Sequence, residues 1–329
     1  VRLDGAVARR LVADVPVGVF LSGGMDSSII AALACRHSDT PVRTFAIGFP
    51  DHRYDERQYA QRVARHVGTE HHFLEVHPGD FAHLRRIVAA FEEPFADSSM
   101  LPTSLLAAFT RQYVKVALSG DGADELFGGY YRYRVMHLAR HLEWCSCGLR
   151  AWIRRCLLAF LPAGAQDRSW AGRLRRLVEI IDRDGLRQYL ALLSRFPASL
   201  REQVYGEGMR GAAAEAEGVA VLDRAYRAHS EVADSIMEVD LSTYLNNDIL
   251  VKVDRAAMAH GLEVRSPFLD PEVAELAMQL PYAWKQSGKR RKMILEDTFS
   301  GLLPEAVVGR AKMGFGVPVA QWFRDEWRD

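Results

Sequence analysis

Val17-Gly18-Val19-Phe20-Leu21-Ser22-Gly23-Gly24-Met25-Asp26-Ser27-Ser28 passes from an apolar strand through small residues into the start of a helix. A strand that empties in this way makes an anion site. Glycines 23 and 24 let the backbone approach a ligand and turn successive N–H groups inward, and the helix opening near Ser27 adds its positive end. Ser22 and Ser27 add hydroxyl donors. The stretch lacks the Gly-Lys-Ser/Thr ending of a Walker A loop, so the usual partner of a transferred γ-phosphate is missing, while Asp26 is placed to hold Mg²⁺. The anion that fits is the phosphate chain of ATP, with chemistry at the α-phosphate. The plainer reading is a tight βα connection.

A second loop shifts the balance. Val114-Lys115-Val116-Ala117-Leu118 is a short alternating strand that runs into Ser119-Gly120-Asp121-Gly122-Ala123-Asp124-Glu125-Leu126-Phe127-Gly128-Gly129-Tyr130, another small-residue turn, now carrying carboxylates. Two such exits belong at one sheet edge. Ligands of open α/β sheets bind outside the carboxyl ends of the strands, so Asp26 and Asp124 are expected to share one metal from opposite sides of the phosphates.

In these residues the chain resembles the synthetase domain of the glutamine-hydrolysing asparagine synthetase family, whose loops read Ser-Gly-Gly-x-Asp-Ser and Ser-Gly-Glu/Asp-Gly-x-Asp-Glu-x-Phe-Gly-Gly-Tyr. The likeness continues in order through Phe45-Ala46-Ile47-Gly48-Phe49, Glu93-Pro94-Phe95-Ala96-Asp97-Ser98-Ser99, Val253-Asp254-Arg255, Glu263 to Asp270, Lys289-Arg290-Arg291-Lys292 and Lys312-Met313-Gly314-Phe315-Gly316. The resemblance implies an α/β fold: a parallel-sheet ATP-pyrophosphatase domain of the adenine nucleotide alpha hydrolase-like, HUP type, followed by a mostly helical part. It implies an AMP-forming carbon–nitrogen ligase that uses ATP and Mg²⁺. A carboxylate, with aspartate the first candidate, is adenylated with release of pyrophosphate and then attacked by ammonia. Related amidotransferases act on other carboxylates in natural-product or polysaccharide pathways, and a non-catalytic relative is a further alternative.

The same resemblance distributes roles. Backbone N–H groups of residues 23 to 27, with Ser22, Gly23, Gly24 and Ser27, cradle the pyrophosphate, and Asp26 and Asp124 hold the metal. Lys292 adds a cation on the α-phosphate oxygens; its plainer reading is a surface charge in the run Lys289–Lys292. Phe20, Leu21 and Ile47, with Ser119-Gly120 near the ribose, match the family's ATP-binding positions, each otherwise an ordinary strand residue. Asp121 aligns with an acid used near the activated intermediate, a position where other members carry glutamate, and Tyr130 is a catalytic candidate beside it. Glu93–Ser99 and Arg255 resemble the bacterial asparagine synthetase form, and the basic residue that would meet a substrate α-carboxylate is left open.

The 329 residues are 49% hydrophobic, enough for one large or two ordinary domains. Lys+Arg and Asp+Glu both number 42, so no global basic field gathers nucleic acid, and a tRNA-modifying enzyme built on the same loop fits poorly. No apolar run approaches twenty residues, and Cys35, Cys145, Cys147 and Cys156 suit a reduced cytosolic protein. Cys145-x-Cys147 has the wrong spacing for a zinc knuckle. The expected partners are a small carboxylate and ammonia, without nucleic acid or membrane, and with a homodimer left open. Family members carry an N-terminal glutaminase domain led by a cysteine; a chain that begins at Val1 reads as a fragment lacking it, supplied with ammonia by a missing domain, a partner or solution.

Strands are expected over Val17–Leu21, Thr44–Phe49, His72–Val76 and Val114–Leu118, separated by helices, which predicts a nucleotide-binding parallel sheet covered on both faces within residues 1–135. A helix over Asp55–Val67 puts Ala60, Val63, Ala64 and Val67 on one stripe and ends at Gly68. Residues 136–329 are expected to be mostly helical and to complete the site, with no convincing strand. Val273, Leu276, Ala277 and Leu280 mark one amphipathic helix there, and Ala212–Ala220 reads as a connector. His71-His72 lie on a strand with side chains on opposite faces, which favours structural roles over a metal pair. After a helix over Lys289–Lys292, Lys312–Pro318 has the composition of a segment that closes over a site, with a plain turn as the alternative.

Overall fold

The computed structural model describes residues 1–329 except 52–54, 78–80, 141–144, 162–173, 176, 179, 182–184, 195, 197–202, 210–213, 230, 311–321, 323 and 325–329. Five strands, β1 (Val17–Phe20), β2 (Arg43–Gly48), β3 (Glu70–Glu75), β4 (Val116–Leu118) and β5 (Glu263–Arg265), form one sheet in the order β3-β2-β1-β4-β5. Every pair is parallel. Phe45, Ala46 and Ile47 are buried in succession, which a strand achieves only when both faces of its sheet are covered.

The cover comes from helices whose sequences fit their surroundings. In α2 (Met25–Arg36) Ile29, Ile30, Ala31, Leu33 and Ala34 are all buried, the pattern of a helix enclosed on every side. It packs on β1, on α1 (Arg2–Leu11) and on α3 (Arg57–Val67). α3 buries Ala60, Val63 and Ala64 and stops at Gly68, whose φ of 81° is the left-handed cap expected from the sequence. α5 (Met100–Thr110) packs on β2, on α4 (Phe81–Phe91) and on the helix Val251–Met258. Leu101, Leu105 and Leu106 of α5 meet Phe45, Ile47, Ala117 and Ala257 in the main core.

The fifth strand corrects the expectation that residues 136–329 hold no strand. Three residues are too few for a period to stand out, and Glu263-Val264-Arg265 gains its conformation from pairing with β4. Arg265 secures it by donating to the carbonyls of Arg10 and Val12 at 2.9 Å, which ties β5 to the end of α1. The expected helix over Lys289–Lys292 is also replaced: β6 (Gln286–Ser287) and β7 (Arg290–Arg291) make an antiparallel hairpin turned at Gly288, where φ is 56°. In the helix Pro271–Gln279, Val273 and Ala277 are buried as expected, whereas Leu276 is 36% exposed.

The chain divides into two units, Val1–Gly129 with Leu245–Asp329, and Tyr130–Tyr244. The consecutive division expected at 135 therefore differs from the packing: residues 245–329 return to the sheet-bearing unit because β5 and its preceding helix belong there. The connector expected over 212–220 falls largely in the helix Ala214–Ala225 of the second unit.

The second unit is helical in its described residues. Its helices Tyr131–Arg140 and Val232–Asp240 pack together around a buried charge. Asp240, fully buried, accepts from Arg132 Nη2 and from Tyr133 Oη at 2.6 Å, and also from the Tyr189 hydroxyl. Burial opposes a charged Arg132, but Asp240 together with Tyr189, Tyr133 and Tyr130 outweighs it and holds the guanidinium firmly protonated.

Candidate active site

Strand order reverses between β1 and β4, because β2 and β3 build outward on one side and β5 on the other. The loops leaving β1 and β4 thus part at the switch point, where open parallel sheets bind ligands. Gly23 adopts φ 72°, and a Cβ there would overlap the backbone of Tyr59 and Ala60 in α3. Only glycine fits that slot. The two hydroxyls of the loop pair with each other, Ser22 Oγ to Ser27 Oγ at 3.0 Å, while the Gly24 N–H donates to Ser22 Oγ at 3.3 Å. α2 begins at Met25, two residues earlier than expected, so Asp26 stands in its first turn.

The second loop presses against the first. A Cβ on Gly120 would stand 3.0 Å from the Cβ of Asp26 and 3.1 Å from the Ser27 nitrogen. Further along, α6 (Ala123–Phe127) is closed by Gly128 in the left-handed conformation, φ 72°. Gly129 then leaves room that matters chemically, because a Cβ there would overlap the Asp124 carboxylate and Cε of Lys292. The glycine pair after Phe127 thus has a physical cause that pattern matching alone did not supply.

Lys292 enters this space from the hairpin. Its Nζ lies 2.5 Å from Asp26 Oδ2 and 2.7 Å from Asp124 Oδ1, and its side chain is 7% exposed, which overturns the reading of a surface charge. Burial works against its charge, but Asp124 and then Asp26 outweigh it and raise its pKa above the ordinary lysine value. Its backbone is left-handed, φ 52°, a conformation that costs a non-glycine residue on the order of 1 kcal/mol. Such strain persists where the surroundings over-determine it, as two carboxylates do here.

The remaining candidates are spread over several places. Ser119 Oγ donates to Asp121 Oδ2 at 2.8 Å and pairs with Ser266 Oγ at 3.0 Å, so Ser119, Gly120 and Asp121 join the loop after β4 to the segment after β5. Leu21 and Ile47 are buried core residues, and Phe20 is partly buried against the same core. Tyr130 opens the second unit, with its ring against Arg132, Tyr133 and Tyr244. Arg255 pairs with Glu93 at 3.1 Å and donates to the Phe91 carbonyl. The segment Lys312–Pro318 lies outside the described residues. His71 and His72 are separated as expected: His71 Nδ1 pairs with Thr44 Oγ1 at 2.9 Å, and His72 stacks on Phe45.

Sequence reasoning missed two ion pairs near the sheet's carboxyl edge. Lys252 Nζ meets Asp97 Oδ2 at 2.8 Å. Burial opposes the Asp97 charge, yet Lys252 and the Ser99 donors outweigh it and hold its carboxyl below the ordinary range. Arg310 meets Glu56 at 2.9 Å and reaches the Gly23 carbonyl at 3.3 Å. Neither pair had a local signal, since 155 and 254 positions, respectively, separate the partners. Among the described residues no group of three or more His, Cys, Asp or Glu side chains could hold a metal. Asp26 and Asp124 are two hard oxygen donors about one ammonium, a set that suits a cation completed by phosphate and water better than an all-protein cage.

Residues 2–329 match the profile of the asparagine synthase family. A provisionally named glutamine-hydrolyzing asparagine synthetase of Mycobacterium tuberculosis (strain ATCC 25618 / H37Rv) is 35% identical over 98% of this chain and 48% of that protein. Glutamine-hydrolyzing asparagine synthetases 1 and 3 of Bacillus subtilis (strain 168) are 32% and 28% identical over 96% and 93% of this chain and 48% and 46% of their own lengths. The chain spans about half the length of the curated relatives it matches.

Proposed function

Because the chain belongs to the asparagine synthase family, we propose that it makes an amide from a carboxylate and ammonia at the expense of ATP, forming AMP and pyrophosphate, with aspartate as the acid. The observation that carries this reading is the meeting of Lys292, which comes from the hairpin, with Asp26 and Asp124 of the two glycine-bearing loop regions at the switch point. A carboxylate is a poor acceptor for ammonia because its leaving group would be oxide. In the proposed reaction its oxygen attacks the α-phosphorus, the bond to the bridging oxygen breaks, and pyrophosphate departs. Ammonia then attacks the acyl carbon, the carbon–oxygen bond breaks, AMP leaves, and the nitrogen gives up a proton.

The charge to be stabilised sits on the pyrophosphate. Backbone N–H groups of residues 23 to 27 and the hydroxyls of Ser22 and Ser27 are its proposed cradle, and the Lys292 ammonium, held charged, faces the α-phosphate oxygens. Asp26 and Asp124 would hold Mg²⁺, which when bound neutralises phosphate charge. Phe20, Leu21 and Ile47 are the proposed adenine contacts, and Ser119 and Gly120 the ribose contacts. Asp121 is the proposed acid at the activated intermediate, with Tyr130 a further catalytic candidate.

The test is a product analysis with ATP, Mg²⁺, ammonium and aspartate. AMP, pyrophosphate and asparagine in equal amounts are expected; ADP and orthophosphate as main products would overturn the reading.

A further inference from the structure

Three contacts of Arg310 with described residues join the first loop to the start of α3. Its guanidinium pairs with Glu56 Oε1 at 2.9 Å, both side chains being only 13% exposed. Its Cζ lies over Tyr59, 3.6 Å from the ring centroid, and Nη1 donates to the Gly23 carbonyl at 3.3 Å. Glu56 and Tyr59 belong to one turn, since the Glu56 carbonyl accepts the Tyr59 and Ala60 N–H groups at 3.0 and 3.1 Å that open α3. That same turn is the wall against which Gly23 rests. Gly23 is therefore seated between the start of α3 and a guanidinium that α3 itself holds.

The consequence passes through one peptide group. The Gly23 carbonyl is held by Arg310, and the N–H of the same peptide, that of Gly24, points the other way and donates to Ser22 Oγ. Ser22 Oγ in turn meets Ser27 Oγ, which donates to the Gly24 carbonyl at 3.2 Å. A planar peptide cannot turn one end without the other. Fixing the carbonyl thus fixes which way the loop's amide and two hydroxyls face.

We propose that Arg310 is the positioning residue of the first loop, setting the orientation of the Gly23–Gly24 peptide and, through it, of Ser22 and Ser27 for the triphosphate. This rests on the reading of that loop as an ATP site. Lysine could replace the charge toward Glu56 but not the guanidinium's contact over the Tyr59 ring together with the simultaneous carbonyl contact.

The test is the Kd for ATP·Mg²⁺ of the wild type, Arg310→Ala and Arg310→Lys, measured by calorimetry well below each protein's melting temperature, with guanidinium chloride at low millimolar concentration added to the alanine variant. A rise in Kd on the order of tenfold is expected for both variants, the loss of one charge-assisted contact, with guanidinium recovering part of the loss in Arg310→Ala. Kd unchanged in either variant, or a loss in Arg310→Ala that guanidinium does not relieve, would overturn the proposal and leave Arg310 a brace of the fold. A wild type that does not bind ATP would instead overturn the functional reading beneath it.

Discussion

Gly120 lies so near Asp26 that a Cβ on it would stand 3.0 Å from the Asp26 Cβ. The neighbouring atoms are a Cβ and the Ser27 backbone nitrogen, neither of which can swing aside as the end of a long side chain would. Gly120→Ala should therefore move the first loop by tenths of an ångström. A loss in kcat/KM on the order of tenfold is expected with little change in melting temperature, because misplacement costs catalysis more steeply than stability. Steady-state kinetics beside thermal unfolding would decide it; unchanged kinetics would mean the loops do not act together.

Asp26→Asn and Asp124→Asn each remove a negative charge beside one ammonium while keeping size. Each should lower activity by roughly 10²-fold or more, and the double variant should be little worse than the poorer single, since residues acting as a unit are not additive. Multiplying losses would argue for separate roles.

Asp240→Ala should destabilise the helical unit by about 3–5 kcal/mol, the range for leaving a buried charge without its partner. Arg132, 16% exposed, cannot reach water fully, and the Tyr133 and Tyr189 hydroxyls lose their acceptor as well. Denaturant unfolding measures it, and a change under 1 kcal/mol would show that the pair is dispensable.

His71 is pushed down to about 4 from an ordinary 6.5 by burial and by the neighbouring charge of His72. Between those values the unfolded chain binds a proton that the folded chain refuses, so stability falls as pH drops from 6.5 toward 4 and levels off below. His71→Asn removes the group, and its loss of stability between pH 7 and 5 should be smaller than that of the wild type in denaturant titrations. An equal loss would assign the acid sensitivity elsewhere.

The parallel sheet was legible because β1, β2 and β4 are largely apolar runs that lead into small-residue turns, and the two loops were legible because glycine, serine and aspartate cluster in them. Lys292 was identified, but its burial was not, since the run Lys289–Lys292 carries only charges and the left-handed turn that sinks one of them is not written in any period. The fifth strand was missed for a different reason. Glu263-Val264-Arg265 has no strand signal beyond one apolar residue between two charges, and its conformation comes from β4, far away in sequence. Arg310 escaped notice similarly: a lone arginine on a sequence gives no hint of a carbonyl almost three hundred positions earlier.

The sheet-bearing unit also has a timetable. Roughly 170 residues lie between Asp124 and Lys292, and at about 5–20 residues per second a ribosome needs on the order of 10–30 s to deliver the second after the first. During that interval both strands that aim Asp26 and Asp124 have been made, while β5 is added only toward its end and the ammonium that stands between the two carboxylates does not yet exist. The early half of the sheet thus waits with like charges facing each other and one edge of β4 bare. Completion of the binding face consequently waits on residue 292, and a chain cut short anywhere before it lacks the cation that neutralises its own loops.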